Sequence, residues 1–243
     1  VTDIVFYRPA GDGRLAVVGA HRRRSGGSGA MAHSAEIVEV TSEAELRELL
    51  GAPMPRALKK ERTALHPHDR AWLAQAPFCL VATAAADGSC DVSPKGDPAG
   101  FAHVLDDTTL AIPERPGNRL ADGFRNVLSN PRVGLIFLVP GREETLRING
   151  RARLVREAPF FDEMIVRGNR PKLALLVEIE QVFFHCAKAF KRANLWRPET
   201  WPEPAALPGM PRIVKDTIET PETLAELERY YGPDYDKLLY PQS

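Results

Sequence analysis

The residue types best suited to chemistry fall in three short stretches. In IPERPGNRLADGFRNVLSNP, Ile112 to Pro131, Arg115 and Arg119 bracket Pro116, Gly117 and Asn118. Leu120, Phe124, Val127 and Leu128 then recur at helical spacing. This pattern starts a helix near Gly117 or Asn118, where unpaired N–H groups and the helix dipole favour an anion. Two guanidiniums and a neutral amide at that point suit a terminal phosphate. The alternative is a capped surface helix with solvated arginines. In DVSPKGD, Ser93 and Lys95 lie two apart on an extended segment, so a hydroxyl and an ammonium share one face. In FFHCAKAFKRANLW, Lys188 and Arg192 lie four apart on one helical face, with Phe190 and Trp196 supplying aromatic surface. That mixture suits a planar anionic ligand, or a core-packed aromatic pair with solvated cations.

Other chemistries fare less well. His66 and His68 form the single His-x-His, beside Asp69 at a proline-marked helix start, and an N-cap role fits them better than a metal site. His185 and Cys186 are adjacent, so on a strand they face opposite ways, which disfavours a Cys–His nucleophile pair. No phosphate-binding glycine loop or nucleophile-elbow motif occurs. No side chain stands out as a catalytic acid or base. Asp106 and Asp107 read as a hairpin turn, and Glu178 and Glu180 as strand residues that are exposed or paired with basic side chains at a subunit contact. Three widely spaced cysteines, Cys79, Cys90 and Cys186, suit a reducing compartment and hence the cytoplasm. The formal net charge is zero, so no basic field marks a nucleic-acid or membrane binder. No apolar run reaches the roughly 20 residues of a membrane span, and residues 1–20 lack a signal-peptide pattern.

The elements that must position these stretches are mostly strands. FCLVATA, SCDVSP, TTLAIP, RVGLIFLVP, EETLRINGRARLVRE and KLALLVEIEQVFFHC are strand-like and joined by turn signals such as ADG and DD. In the last strand Val177 and Ile179 share one face and Val182 and Phe184 the other, which predicts a bulge near Gln181. Few crossover helices separate the strands. The expected fold is mainly β with added helices, a closed or partly closed antiparallel barrel. The expected division is a flexible segment over 1–34, a helical extension over 35–77, the barrel over 78–197, and a wrapping segment with a helix over 198–243. Met31 is a candidate biological start. Helices are expected in TSEAELRELLG, with Ser42 and Glu45 as caps, in HPHDRAWLAQAP, around APFFDEMIV, and in TPETLAELERYYG with Pro221 near its first turn.

With DVSPKGD, LAIPERPGNR, NVLSNPRVGLIFLVPG, TLRINGRARL and FFHCAKAFKR in view, the chain resembles the pyridoxamine 5'-phosphate oxidase-like FMN-binding split barrels, from about Phe78 to Trp196. It is most similar to a bacterial branch of FMN-dependent proteins with helices added at both ends. The resemblance implies a six-stranded split barrel, a homodimer with FMN at its interface, and a flavin-borne redox step on a small-molecule substrate. It implies that Ser93, Lys95, Arg115, Asn118 and Arg119 hold the FMN phosphate. Asn126 is a further candidate, and Lys188 and Arg192 are expected to reach the same cofactor or its open side. The C-terminal arginine and histidine pattern of true pyridoxamine phosphate oxidases is not recognisable here, so fold and cofactor carry over better than substrate. A non-catalytic flavin carrier, or a barrel binding deazaflavin or haem, are the alternatives.

Overall fold

The computed structural model describes residues 4–9, 15–21 and 37–240. The chain divides into two compact units, Val1–Pro53 and Met54–Ser243. In the first unit, strands β1 (Ile4–Pro9) and β2 (Leu15–His21) pair antiparallel. A hairpin therefore occupies part of the segment expected to be flexible; the rest of residues 1–34, Met31 included, lies outside the described residues. Helix α1 (Glu43–Leu50) follows, with Ser42 Oγ accepting from the Glu45 N–H at 3.2 Å and Gly51 closing it at φ 76°. That positive φ is the reason glycine stands there.

The second unit begins with α2 (Pro55–Leu58) and α3 (Pro67–Gln75). The expected helical extension over 35–77 is thus split between the units. Helix α3 is part of the core: Leu73 is buried in it. The His66 side chain accepts from the helix backbone while the Asp69 carboxylate accepts the His66 N–H at 2.8 Å. Asp69, fully buried, also takes two hydrogen bonds from Arg62 at 2.6 and 2.7 Å. His66 and Asp69 are consumed by capping, as their position predicts.

Seven strands follow: β3 (Phe78–Ala84), β4 (Cys90–Gly96), β5 (His103–Val104), β6 (Thr109–Pro113), β7 (Arg132–Leu138), β8 (Thr145–Val155) and β9 (Ala174–His185). They form one antiparallel sheet in the order β4-β3-β7-β8-β9-β6-β5. Alternate residues point inward, so Cys79, Val81, Leu135, Phe137, Leu146, Ile148, Leu110 and Ile112 share one core. Ends of β4 and β6 come together without strand pairing, through ion pairs described below, which makes the barrel a split one.

The bulge predicted near Gln181 lies at Glu180. Asn149 pairs with Gln181 and Gly150 with Ile179, leaving Glu180 as the extra residue. The insertion returns Val182 and Phe184 to the side of Val177 and Ile179, so all four contribute to one core. Gly150 permits the close approach: a Cβ there would collide with the Glu178 carbonyl. Glu178 and Glu180 pair within the chain, with Arg153 and Arg132.

Helix α4 (Asp122–Ser129) packs on β3, β4 and β8. The APFFDEMIV stretch forms a 3-10 turn, Pro159–Met164, that puts Phe161 and Met164 against Ala111, Ala174 and Leu176 on the other face of the sheet. After β9 come α5 (Lys188–Ala193), α6 (Met210–Thr217) and α7 (Leu224–Tyr230). Thr223 caps α7 with Glu226, so Pro221 lies just ahead of the first turn. Among the described residues no helix is long and apolar enough to cross a membrane.

Candidate functional site

The helix that opens the phosphate argument starts late. It begins at Asp122, not near Gly117 or Asn118. Asn118 Oδ1 accepts the Leu120 N–H at 3.1 Å, a side-chain turn that competes with helix formation. Arg119 and Ala121 then adopt φ 63° and 58°. Each left-handed non-glycine residue costs about 1–2 kcal/mol, so this entrance is held by its surroundings. Leu120 and Leu128 are exposed, and the packing face reduces to half-buried Phe124 and buried Val127. The α4 N-terminus is also not an open anion site. Asp122 lies in its first turn, and the Asp91 carboxylate sits beside Gly123.

The entrance and strand β4 nevertheless line one cavity of about 660 Å³. Ser93, Lys95, Arg115, Asn118 and Arg119 all border it, together with apolar Val81, Phe101, Val127 and Leu175. Two segments about twenty residues apart thus supply a polar rim over an apolar floor. Along β4 the half-buried positions Asp91, Ser93 and Lys95 alternate with exposed Val92 and Pro94, as period two requires.

The cations of this rim are in different states. Lys95 pairs with Glu114 and lies 4.8 Å from the Phe124 ring centroid. Arg115, 13% exposed, donates Nε–H to Asp97 Oδ2 at 2.5 Å, and its terminal nitrogens donate to the carbonyls of Asn169 at 3.1 Å and Met164 at 2.7 Å. Asp97 is 1% exposed. Arg115 is therefore first a clamp joining the end of β4, the segment after β6 and the 164–169 turn. A guanidinium has five N–H donors and this one uses three, so two remain on a residue that borders the cavity. Arg119 and Ser93 form no side-chain hydrogen bond or ion pair among the described residues. They are uncommitted polar groups of the rim, as is the Asp91 carboxylate.

Sequence reasoning missed Glu114, Asp97 and Tyr240. The first two carry a signal: SPKGD and PERPGNR hold opposite charges that can pair across strands. Tyr240 has none, since it arrives from more than a hundred residues away to donate its hydroxyl to Asp97 Oδ1. Burial first, and the Asp97 carboxylate second, raise its phenol above the ordinary tyrosine range.

The remaining candidates lie elsewhere. Asn126 donates Nδ2–H to Thr83 Oγ1 at 3.1 Å, tying α4 to β3, and does not border the cavity. Lys188 and Arg192 are exposed on α5, outside the cavity. Phe190 and Trp196 pack on each other at 6.0 Å, with Trp196 Nε1–H donating to the Arg142 carbonyl at 2.7 Å.

Parts of this chain are similar to known proteins. Among solved structures, a pyridoxamine 5'-phosphate oxidase-like protein of Lactobacillus delbrueckii is 22% identical, covering 51% of this chain and 98% of its own, with a TM-score of 0.41. HupZ of Group A Streptococcus is 19% identical, over 49% of this chain and 93% of its own, at 0.41. HutZ, the haem storage protein of Vibrio cholerae, is 16% identical, over 50% and 93%, at 0.36. No curated protein matches the chain. The family model described as pyridoxamine 5'-phosphate oxidase matches residues 65–186, half of the chain, from the approach to α3 to the end of β9. The chain belongs to the pyridoxamine 5'-phosphate oxidase family.

Proposed function

We propose that the cavity between β4 and the 115–121 entrance is an FMN site, and that the protein is an FMN-dependent oxidoreductase acting on a small molecule. The observation that carries the reading is the convergence of unpartnered Ser93 and Arg119 on one cavity with an apolar floor. An amphipathic ligand with an anionic tail fits that donor set. Arg119 would supply charge-assisted hydrogen bonds to the phosphate, and Ser93 a hydroxyl. Lys95 would share its ammonium between Glu114 and the phosphate, and the remaining N–H groups of Arg115 would add to them. Asp97 and the two carbonyls hold Arg115 in orientation, so it needs no rearrangement to donate. The apolar floor excludes water from the bound group. FMN would supply the hydride or electron-pair chemistry, and the chain its binding, orientation and electrostatics.

Exposed Val92, Leu120 and Leu128, on β4, before α4 and on α4, support a homodimer with these sites near its interface. In that arrangement Lys188 and Arg192, exposed on α5, act across the interface. The three free cysteines support a cytoplasmic location.

The test is titration of purified protein with FMN, followed by flavin fluorescence quenching and thermal shift. Absence of both sinks the cofactor assignment, as does purification with haem or a deazaflavin in its place. Arg119→Ala should weaken FMN about 10- to 100-fold while sparing riboflavin, the size expected for a hydrogen bond to a charged group. Equal loss for both ligands removes Arg119 from the phosphate site. Anaerobic reduction by NADH or NADPH and reoxidation by an acceptor separates an oxidoreductase from a flavin carrier, which would bind FMN without turnover.

A further inference from the structure

One wall of the cavity comes from outside the family match. Leu239 and Tyr240 border it, although the matched residues end at 186. They close the segment Tyr235–Tyr240, whose first four residues form a short 3-10 turn after α7. The near end of this segment is anchored. Tyr235 packs against Tyr231 and Tyr230 with ring centroids 5.4 and 5.6 Å apart. Its far end is held by Tyr240, which donates to Asp97 and lies 5.0 Å from the Arg167 guanidinium. Between these points Leu238 and Leu239 are about half buried, so only partial apolar burial holds the segment down.

The two oxygens of Asp97 have separate partners. Arg115 takes Oδ2 and Tyr240 takes Oδ1. When Tyr240 leaves, Arg115 still neutralises the carboxylate, and no buried charge is stranded. Release of the segment therefore breaks one strong hydrogen bond and one cation–π contact and leaves the clamp at the end of β4 intact. Departure of Arg115 would instead strand Asp97. The construction makes Tyr240 the detachable partner and Arg115 the permanent one.

We propose that Tyr240 latches the segment Tyr235–Tyr240 as a removable wall of the cavity, so that opening of the Tyr240–Asp97 bond widens the path for ligand entry and release. The proposal rests on reading this cavity as the ligand site. It makes Tyr240 a positioning residue that sets access.

The test uses the full chain and separates the two claims. In a Cys90→Ser, Cys186→Ser background, Ser93→Cys places a thiol on the cavity wall, while buried Cys79 stays silent. The rate of its modification by a neutral maleimide, without FMN, reports entry. Tyr240→Ala should raise that rate about tenfold or more, matching loss of a hydrogen bond to a charged group. Tyr240→Phe, which keeps the ring beneath Arg167, should fall between it and the parent. Wild-type rates in Tyr240→Ala, or a Tyr240→Phe rate equal to the parent, overturn the latch. In chains with native cysteines, FMN release should accelerate in the same order. If FMN binds none of the chains while the labelling rates rise as expected, the cofactor reading fails and the removable wall stands.

Discussion

At the residue scale, the structure separates groups that look alike in sequence. Arg115 and Arg119 flank the same turn, yet one is buried in a clamp and the other has no side-chain partner among the described residues. Arg115→Ala should therefore cost folding stability, by stranding Asp97 and two carbonyls, whereas Arg119→Ala should leave the melting temperature nearly unchanged. Cys79 differs from Cys90 and Cys186 in the same way. Burial pushes its thiol up to about 12, against a smaller opposing effect of Lys95. We expect two thiols to react in the folded protein at neutral pH and three in denaturant, a count that a thiol titration reads directly. Because the folded value is raised, this group stabilises the fold below the ordinary thiol range, and that contribution is lost as pH climbs towards 12. His185 shows the opposite displacement: burial, then Lys60 and Arg147, hold it below the ordinary histidine value. The unfolded chain takes up this proton first, so stability falls as pH drops through the ordinary histidine range. Proton NMR should give His185 a depressed midpoint that rises in Lys60→Ala.

At the element scale, two devices set the barrel's geometry. The bulge at Glu180 was legible in β9, because the apolar period changes face there and only an inserted residue can restore it. That Gly150 serves this bulge, and does not turn the chain after Asn149, depends on β9 lying alongside. Gly150→Ala should destabilise the protein by about 1–3 kcal/mol, as overpacking against backbone does. The second device is the Arg62–Asp69–His66 cluster, which caps α3 while Arg62 pairs with Val182 of β9 through backbone hydrogen bonds of 3.1 and 2.7 Å. Asp69→Ala should cost about 1.5–3 kcal/mol, the range for hydrogen bonds to a charged group. Urea midpoints at unchanged slope would measure both losses. The capping half of this cluster was readable from His66, Pro67 and Asp69. Its connection to Arg62 was not, since nothing local ties residue 62 to a strand that begins at 174.

At the scale of the whole molecule, ligand and partner should both appear in stability. Saturation with FMN at about a hundred times its dissociation constant adds about 2.7 kcal/mol. For a unit of this size, that raises the melting temperature by roughly 5–10 °C. Differential scanning calorimetry with and without FMN would measure the shift. Sedimentation should show a dimer. Charged replacements at Leu120 and Leu128, both exposed, should dissociate it while leaving the barrel folded.

The strands, their turns, the bulge and the two cationic stretches were determined by the sequence itself, because each rests on local periodicity or on residues with restricted backbones. The antiparallel sheet followed from short strands joined by turns. The start of α4 was misplaced by four or five residues because Asn118 accepts a backbone hydrogen bond locally and two residues take left-handed conformations. Neither effect changes the apolar period that marked the helix. What only the tertiary structure decided was which charges meet. Lys95 with Glu114, Arg115 with Asp97, and Tyr240 with Asp97 are pairings between distant segments. Their formation depends on β4, the end of β6 and the C-terminal segment converging at one cleft. Charge pairing is short-ranged and has no sequence period, so its outcome, and with it the identity of the uncommitted cation at the cavity, was settled by the folded barrel.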